Sequence, residues 1–205
     1  FKITRNLNIK PRQELLDLLK TTWKYASFRS LKMYKDLSVN RDITEISQGS
    51  IVETVVQQAE HAYNGEKDKV NNVLLTSPTG AGKSLLFQLS AIYLAETYGL
   101  LTIVVSPLVA LMNDQVDGLT GYSAVATLNS NKTAADKEAI LRGVREGSIN
   151  ILYLSPELLL SYSIKSFIGE RKLGLFVVDE AHTVTTWGRD FRVDYWFLGD
   201  YLRKA

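Results

Sequence analysis

After residue 45 the chain alternates between short apolar runs and stretches with helical periodicity. The runs, rich in β-branched residues, lie at 72–76, 101–106, 124–128, 149–155 and 173–179, and the helical stretches at 83–98, 108–119, 134–146 and, more briefly, 157–168. Because the runs are apolar throughout rather than alternating, each strand is expected to be buried on both faces. With helices in the connections, this predicts an α/β fold with a parallel sheet covered by helices on both faces. In such a sheet ligands bind at the carboxyl ends of the strands. Ahead of this region Pro11 can open a helix, in which Leu15, Leu16, Leu18, Leu19, Trp23 and Phe28 recur at amphipathic spacings. The polar, charged stretch 64–72 reads as a loop, and no internal repeat or low-complexity tract occurs.

Composition narrows the picture. A length of 205 residues suits one α/β core plus an appendage, and 45% hydrophobic with 10% aromatic residues excludes a disordered chain. With no cysteine, disulfides, thiolate zinc sites, iron–sulfur clusters and cysteine nucleophiles are all excluded. Two histidines are too few for a histidine cage, so any metal is held by oxygen. No apolar stretch is long enough to cross a bilayer and no secretory leader opens the chain, so an intracellular protein is expected, cytoplasmic in a bacterium or nuclear in a eukaryote. A start at Phe1 and an end at Ala205 on a helical pattern suggest an excised piece.

The net charge of +2 conceals an asymmetry. Residues 1–40 hold nine Lys/Arg against three Asp/Glu, net +6; this leaves 15 against 19, net −4, for residues 41–205. In the basic part Lys20, Lys24, Arg29, Lys32 and Lys35 intersperse Trp23, Tyr25, Phe28 and Tyr34. That mixture either lines a polynucleotide with charge and stacking surfaces or turns its aromatics toward a neighbouring domain or protein partner.

The strongest local signal is the apolar run before Ser77-Pro78-Thr79-Gly80-Ala81-Gly82-Lys83-Ser84, with an apolar helical stretch after it. Ser77 stands where GxxxxGK[ST] has its first Gly. Gly80 and Gly82 still let successive N–H groups turn inward at the positive end of the helix, making an anion nest. Lys83 can reach β- and γ-phosphates and Ser84 can ligate Mg²⁺. The competing reading is a Gly-rich turn before a helix. The run 173–179 ends in adjacent carboxylates, Asp179 and Glu180, followed by Ala181 and His182. Asp179 can hold Mg²⁺ and Glu180 can orient or deprotonate an attacking water.

TSPTGAGKS, VSPLVALMNDQV, LNS, ILYLSPE, VVDEAH and TTWGRDFRVDY, in that order, resemble the first RecA-like lobe of RecQ-type superfamily 2 DNA helicases over roughly residues 46–205. The resemblance implies a RecA-like P-loop NTPase lobe at 46–205, truncated before its last coupling motif, with a basic helical extension at 1–45. It assigns Thr79, Gly80, Ala81, Gly82, Lys83 and Ser84 to ATP, Ser84 and Asp179 to Mg²⁺, and Glu180 to the hydrolytic water. His182 would link hydrolysis to the DNA site. Ser106, Pro107, Asn113 and Gln115, with Trp187, Phe191 and Arg192 of the aromatic-rich loop, would face single-stranded DNA. Gln48 is the candidate for the adenine edge, but Thr44 and Glu45 stand where the family has an aromatic and an Arg, and the spacing from Gln48 to Pro78 is longer than the family's. Leu158 in place of Arg, and residues 183–186, mark a divergent member.

The implied function is ATP hydrolysis coupled to 3′ to 5′ movement along single-stranded or partly duplex DNA, completed by a second RecA-like lobe beyond residue 205. These 205 residues alone are expected to bind nucleotide weakly, hydrolyse little and unwind nothing. The alternatives are a duplex-DNA or RNA translocase in a larger assembly, and a non-catalytic module that keeps the fold.

Overall fold

The computed structural model describes residues 9–34, 42–77, 80–119, 122, 124–161 and 163–181. They belong to two compact units, Phe1–Leu94 and Ala95–Ala205, and the division falls inside one helix.

In the first unit, α1 (Gln13–Trp23) buries Leu15 and Leu19, one turn apart on a single face. It stops at Lys24, whose φ of 59° is left-handed and whose N–H bonds back to the Lys20 carbonyl. Phe28 therefore lies beyond the helix into which its spacing put it. The next segment is a hairpin, β1 (Ser30–Tyr34) against β2 (Ile43–Ser47), antiparallel with Ser30 opposite Ser47. Ser47 then caps α2 (Gln48–Tyr63) by accepting the Gly49 N–H. Neither the hairpin nor α2 was anticipated from the spacing of apolar residues.

Arg12 ties this unit together. Its N–H and its guanidinium bond Glu53, at 2.7 Å for the closest contact, and the same guanidinium reaches Glu60 at 2.6 Å and the Tyr93 hydroxyl at 2.8 Å. Glu53 and Glu60 share one face because seven residues is close to two helical turns. The Tyr93 contact comes from α3 (Lys83–Tyr98), which buries residues around its whole girth, among them Leu85, Leu89, Ala91, Ile92 and Leu94.

The strand expected at 72–76 is not formed. Residues 70–77 have no regular structure, Val73 is 46% exposed and Leu74 77%. A β-branched run becomes a strand only where its backbone groups join a ladder, and among the described residues these join none.

The second unit holds the parallel sheet. Its order is β4 (Val125–Leu128), β5 (Ile151–Leu154), β3 (Leu101–Val105), β6 (Leu173–Val178). Every pairing is parallel. The crossovers run through α4 (Val109–Asp117), α5 (Ala134–Glu146), α6 (Pro156–Ser161) and α7 (Ile164–Ile168). β3 and β5 are buried at every position. The core gathers Leu101, Ile103, Val105, Leu152 and Leu154 from these strands with Val144, Leu159 and Phe167 from the helices. The helix expected over 157–168 is two, separated where Ser163 turns extended (φ −79°, ψ 142°). Among the described residues no helix is long and apolar enough to cross a membrane.

Candidate functional site

In the first unit the phosphate loop runs into α3. Gly80 and Gly82 both adopt left-handed backbone, φ 81° and 77°, a conformation that costs other residues energy and aims consecutive amides to one side. Among the described residues a Cβ at Gly80 would meet nothing within 4 Å, whereas one at Gly82 would lie 2.9 Å from Gln48 Nε2. Lys83 opens α3, and its ammonium donates to the Ser77 carbonyl at 3.0 Å, closing the loop on its own start. The Ser77 hydroxyl is buried with no partner among the described residues. Left-handed glycines, a lysine at a helix start and an orphaned hydroxyl fit a polyphosphate with its cation. Thr79 lies outside the described residues.

Gln48 is 5% exposed and reaches this loop, its Nε2 donating to the Ala81 carbonyl at 3.4 Å. The β1–β2 hairpin folds back so that Gln48 meets Arg29, 19 positions earlier. The Gln48 N–H donates to the Arg29 carbonyl at 2.9 Å, and the Arg29 N–H donates to Gln48 Oε1 at 3.2 Å. The Arg29 guanidinium lies 5.2 Å over the Tyr25 ring. Phe28 packs so closely on α2 that a Cβ at Gly49 would come within 2.6 Å of its ring. Thr44 and Glu45 stand where an aromatic and an Arg were looked for immediately ahead of Gln48; in space, Arg29 bonds Gln48, Tyr25 lies under the Arg29 guanidinium and Phe28 packs beside Gly49. Linear spacing missed them. The available signal was the Tyr-x-x-Phe-Arg run at 25–29, read there only as part of a basic arm.

The second unit carries the carboxylates. Asp179 follows β6, is 8% exposed and extends the ladder by donating its N–H to the Val105 carbonyl at 2.9 Å. Its Oδ1 accepts the Glu180 N–H at 2.9 Å and its Oδ2 accepts the Gln115 amide at 3.1 Å. Glu180 has a φ of 49°; apart from Lys24 it is the one non-glycine with positive φ among the described residues. Strain of this kind persists where the surroundings enforce it, often at functional sites. His182, Trp187, Phe191 and Arg192 lie outside the described residues.

Gln115 and Asn113 stand two positions apart on α4, which sets them on opposite sides of the helix. Asn113 is exposed and accepts from the Thr127 hydroxyl at 3.3 Å, while Gln115 turns to Asp179. Ser106 is fully enclosed, its hydroxyl without a partner among the described residues. Its neighbour Pro107 instead lines a cleft of about 290 Å³ with Val109, Ser130, Ser155, Glu157, Leu158 and Ser161. Pro107, Ser130 and Ser155 sit just past the carboxyl ends of β3, β4 and β5, where an open parallel sheet presents its ligand sites. The LNS and SPE segments by themselves assign no role to Ser130, Ser155 or Glu157. The structure brings them together with Pro107 along one cleft.

The DEAD/DEAH box helicase family model matches residues 50–202, most of the chain. Three relatives agree with it. ATP-dependent DNA helicase Q5 of Rattus norvegicus is 42% identical over 142 residues, covering 66% of this chain and 14% of its own. ATP-dependent DNA helicase RecQ of Pasteurella multocida is 38% identical, covering 62% of this chain and 20% of its own. ATP-dependent helicase SGS1 of Saccharomyces cerevisiae is 39% identical, covering 65% and 10%. The chain therefore spans at most about a fifth of these relatives' lengths. A parallel sheet ending in the Asp179-Glu180 pair, a left-handed glycine loop ahead of Lys83, and this agreement along the sequence have one explanation: the chain belongs to the DEAD/DEAH box helicase family, on its RecQ-type branch.

Proposed function

We propose that residues 46–205 are the ATP-binding and hydrolysing lobe of an ATP-dependent helicase that moves 3′ to 5′ along single-stranded DNA, preceded by a basic extension at 1–45. The observation that carries this reading is the pair of left-handed glycines directly ahead of Lys83 and Ser84 at the start of α3. In it the amides of residues 80–84 bind the phosphates, and Lys83 exchanges the Ser77 carbonyl for the β- and γ-phosphate oxygens. Gln48, with one N–H and one lone pair beyond its contacts to Ala81 and Arg29, takes the adenine edge, and Tyr25 with Arg29 offers a face for the ring.

The hydroxyl of Ser84 and the carboxylate of Asp179 would hold Mg²⁺, which when bound neutralises phosphate charge. Glu180 orients the attacking water and accepts its proton as oxygen bonds to the γ-phosphorus and ADP leaves. Asn113 and the cleft at Pro107, Ser130 and Ser155 receive the sugar–phosphate backbone, with Trp187 and Phe191 stacking on bases and Arg192 on phosphate. His182 links the two events. A second RecA-like lobe supplies the remaining charge for the transition state, so these 205 residues alone bind nucleotide weakly and unwind nothing.

ATPase assays of the full-length protein with single-stranded DNA, duplex DNA or RNA test the substrate assignment. Single-stranded DNA is expected to stimulate most. Equal stimulation by all three would refute it.

A further inference from the structure

Asp179 is fixed at three atoms, and two of the three contacts are made at the sheet end itself: its N–H to the Val105 carbonyl of neighbouring β3 and the Oδ1 bond from the Glu180 N–H. The third comes from elsewhere. Gln115, 64 positions earlier on α4, donates Nε2–H to Oδ2 at 3.1 Å. Rotation of a carboxylate about its last torsion is broad and weakly preferred, so the rotamer alone does not orient Asp179. The two hydrogen bonds, one to each oxygen, do. Each oxygen keeps a further lone pair, and the two N–H vectors decide where those lone pairs point.

The residue type suits the task. A neutral amide orients a carboxylate without cancelling its charge, whereas Lys would compete with a cation for the same oxygens. Asn, one methylene shorter, would not reach from α4. We propose that Gln115 is a positioning residue for Asp179, holding its carboxylate so that the remaining lone pairs serve Mg²⁺ or a water bound to it. Gln115 thereby leaves the group of strand-contacting residues on α4 and joins the nucleotide machinery. The inference rests on the reading of Asp179 as a metal-serving carboxylate and adds to it the residue that aims it.

The test is equilibrium binding of a fluorescent ATP analogue to the full-length protein, titrated at increasing Mg²⁺. Gln115→Met preserves side-chain length and helix propensity without the donor; Gln115→Asn keeps the amide but shortens the reach. In both variants the Mg²⁺ concentration that half-saturates the enhancement of nucleotide binding is expected to rise about tenfold, as for loss of a hydrogen bond to a charged group. Binding without Mg²⁺ is expected to stay at the wild-type value. An unchanged Mg²⁺ requirement in Gln115→Met, or an equal fall in Mg²⁺-free binding, would overturn the proposal, the second by showing a merely structural role. Asp179→Asn separates the two levels. If it leaves the Mg²⁺ requirement unchanged, the role of Asp179 itself fails; if it raises the requirement while Gln115→Met does not, only the positioning role fails.

Discussion

Gly82 answers to two constraints at once, a left-handed φ of 77° and a Cβ position 2.9 Å from Gln48 Nε2. Ala there pays backbone strain and displaces the Gln48 amide from Ala81, whereas at Gly80 no described residue stands within 4 Å and only the backbone cost remains. Gly82→Ala in the full-length protein is expected to weaken nucleotide binding about tenfold or more, on the order of 1–3 kcal/mol of strain, and Gly80→Ala less. Fluorescent-nucleotide titration measures both, and equal affinities for the two variants would remove Gln48 from the loop's architecture. The glycines and Lys83 were legible in the sequence because the loop they form is local, built by neighbours in the chain. Arg29 was not: it comes to Gln48 across 19 positions through a hairpin, and no periodicity encodes that return.

At the scale of elements, Arg12 is the tie of the first unit, bridging the start of α1 to α2 and α3. Burial raises the Glu53 carboxyl, and the Arg12 hydrogen bonds more than reverse this, leaving it below its ordinary 4.5. Arg12 in turn is held above its usual value, chiefly by Glu60 and then Glu53. A carboxyl lowered on folding contributes stability in full above its unfolded value and loses it as pH falls through the folded one. Thermal melting between pH 7 and pH 3 is therefore expected to show stability lost below about pH 4.5. Arg12→Ala, which leaves Glu53 buried and uncompensated, is expected to cost about 3 kcal/mol at pH 7 and to flatten the acid dependence. An unchanged melting temperature would show that the tie contributes nothing.

The elements differ in how far the sequence disclosed them. β3 and β5 are apolar and buried throughout, so their runs identified them. The run at 72–76 has similar composition and forms no strand, because composition does not state whether a partner ladder exists. In α2 the buried residues include Gln48, Ser50 and Glu53 beside Ile51 and Val56, and these polar members, of which Gln48 and Glu53 serve specific side-chain bonds, hid its apolar face.

For the whole molecule, the separation of charge matters most. A net +6 over residues 1–40 and −4 over the remainder concentrates attraction for a polyanion in the amino-terminal segment. Reversing Lys20, Lys24 and Lys32 to Glu is expected to reduce single-stranded DNA affinity and to flatten its dependence on salt concentration, as fewer counterions are displaced. An unchanged slope would assign these lysines to a protein partner.

The most direct test of a hydrolytic lobe is ATP turnover by the full-length protein with saturating single-stranded DNA, wild type against Glu180→Gln. The expected result is a fall of about 10²- to 10⁴-fold, the usual contribution of a general base, with nucleotide binding retained because the phosphate loop is untouched. Turnover at the wild-type rate would contradict the assignment of Glu180, and with it the reading of this chain as the hydrolytic lobe of a helicase.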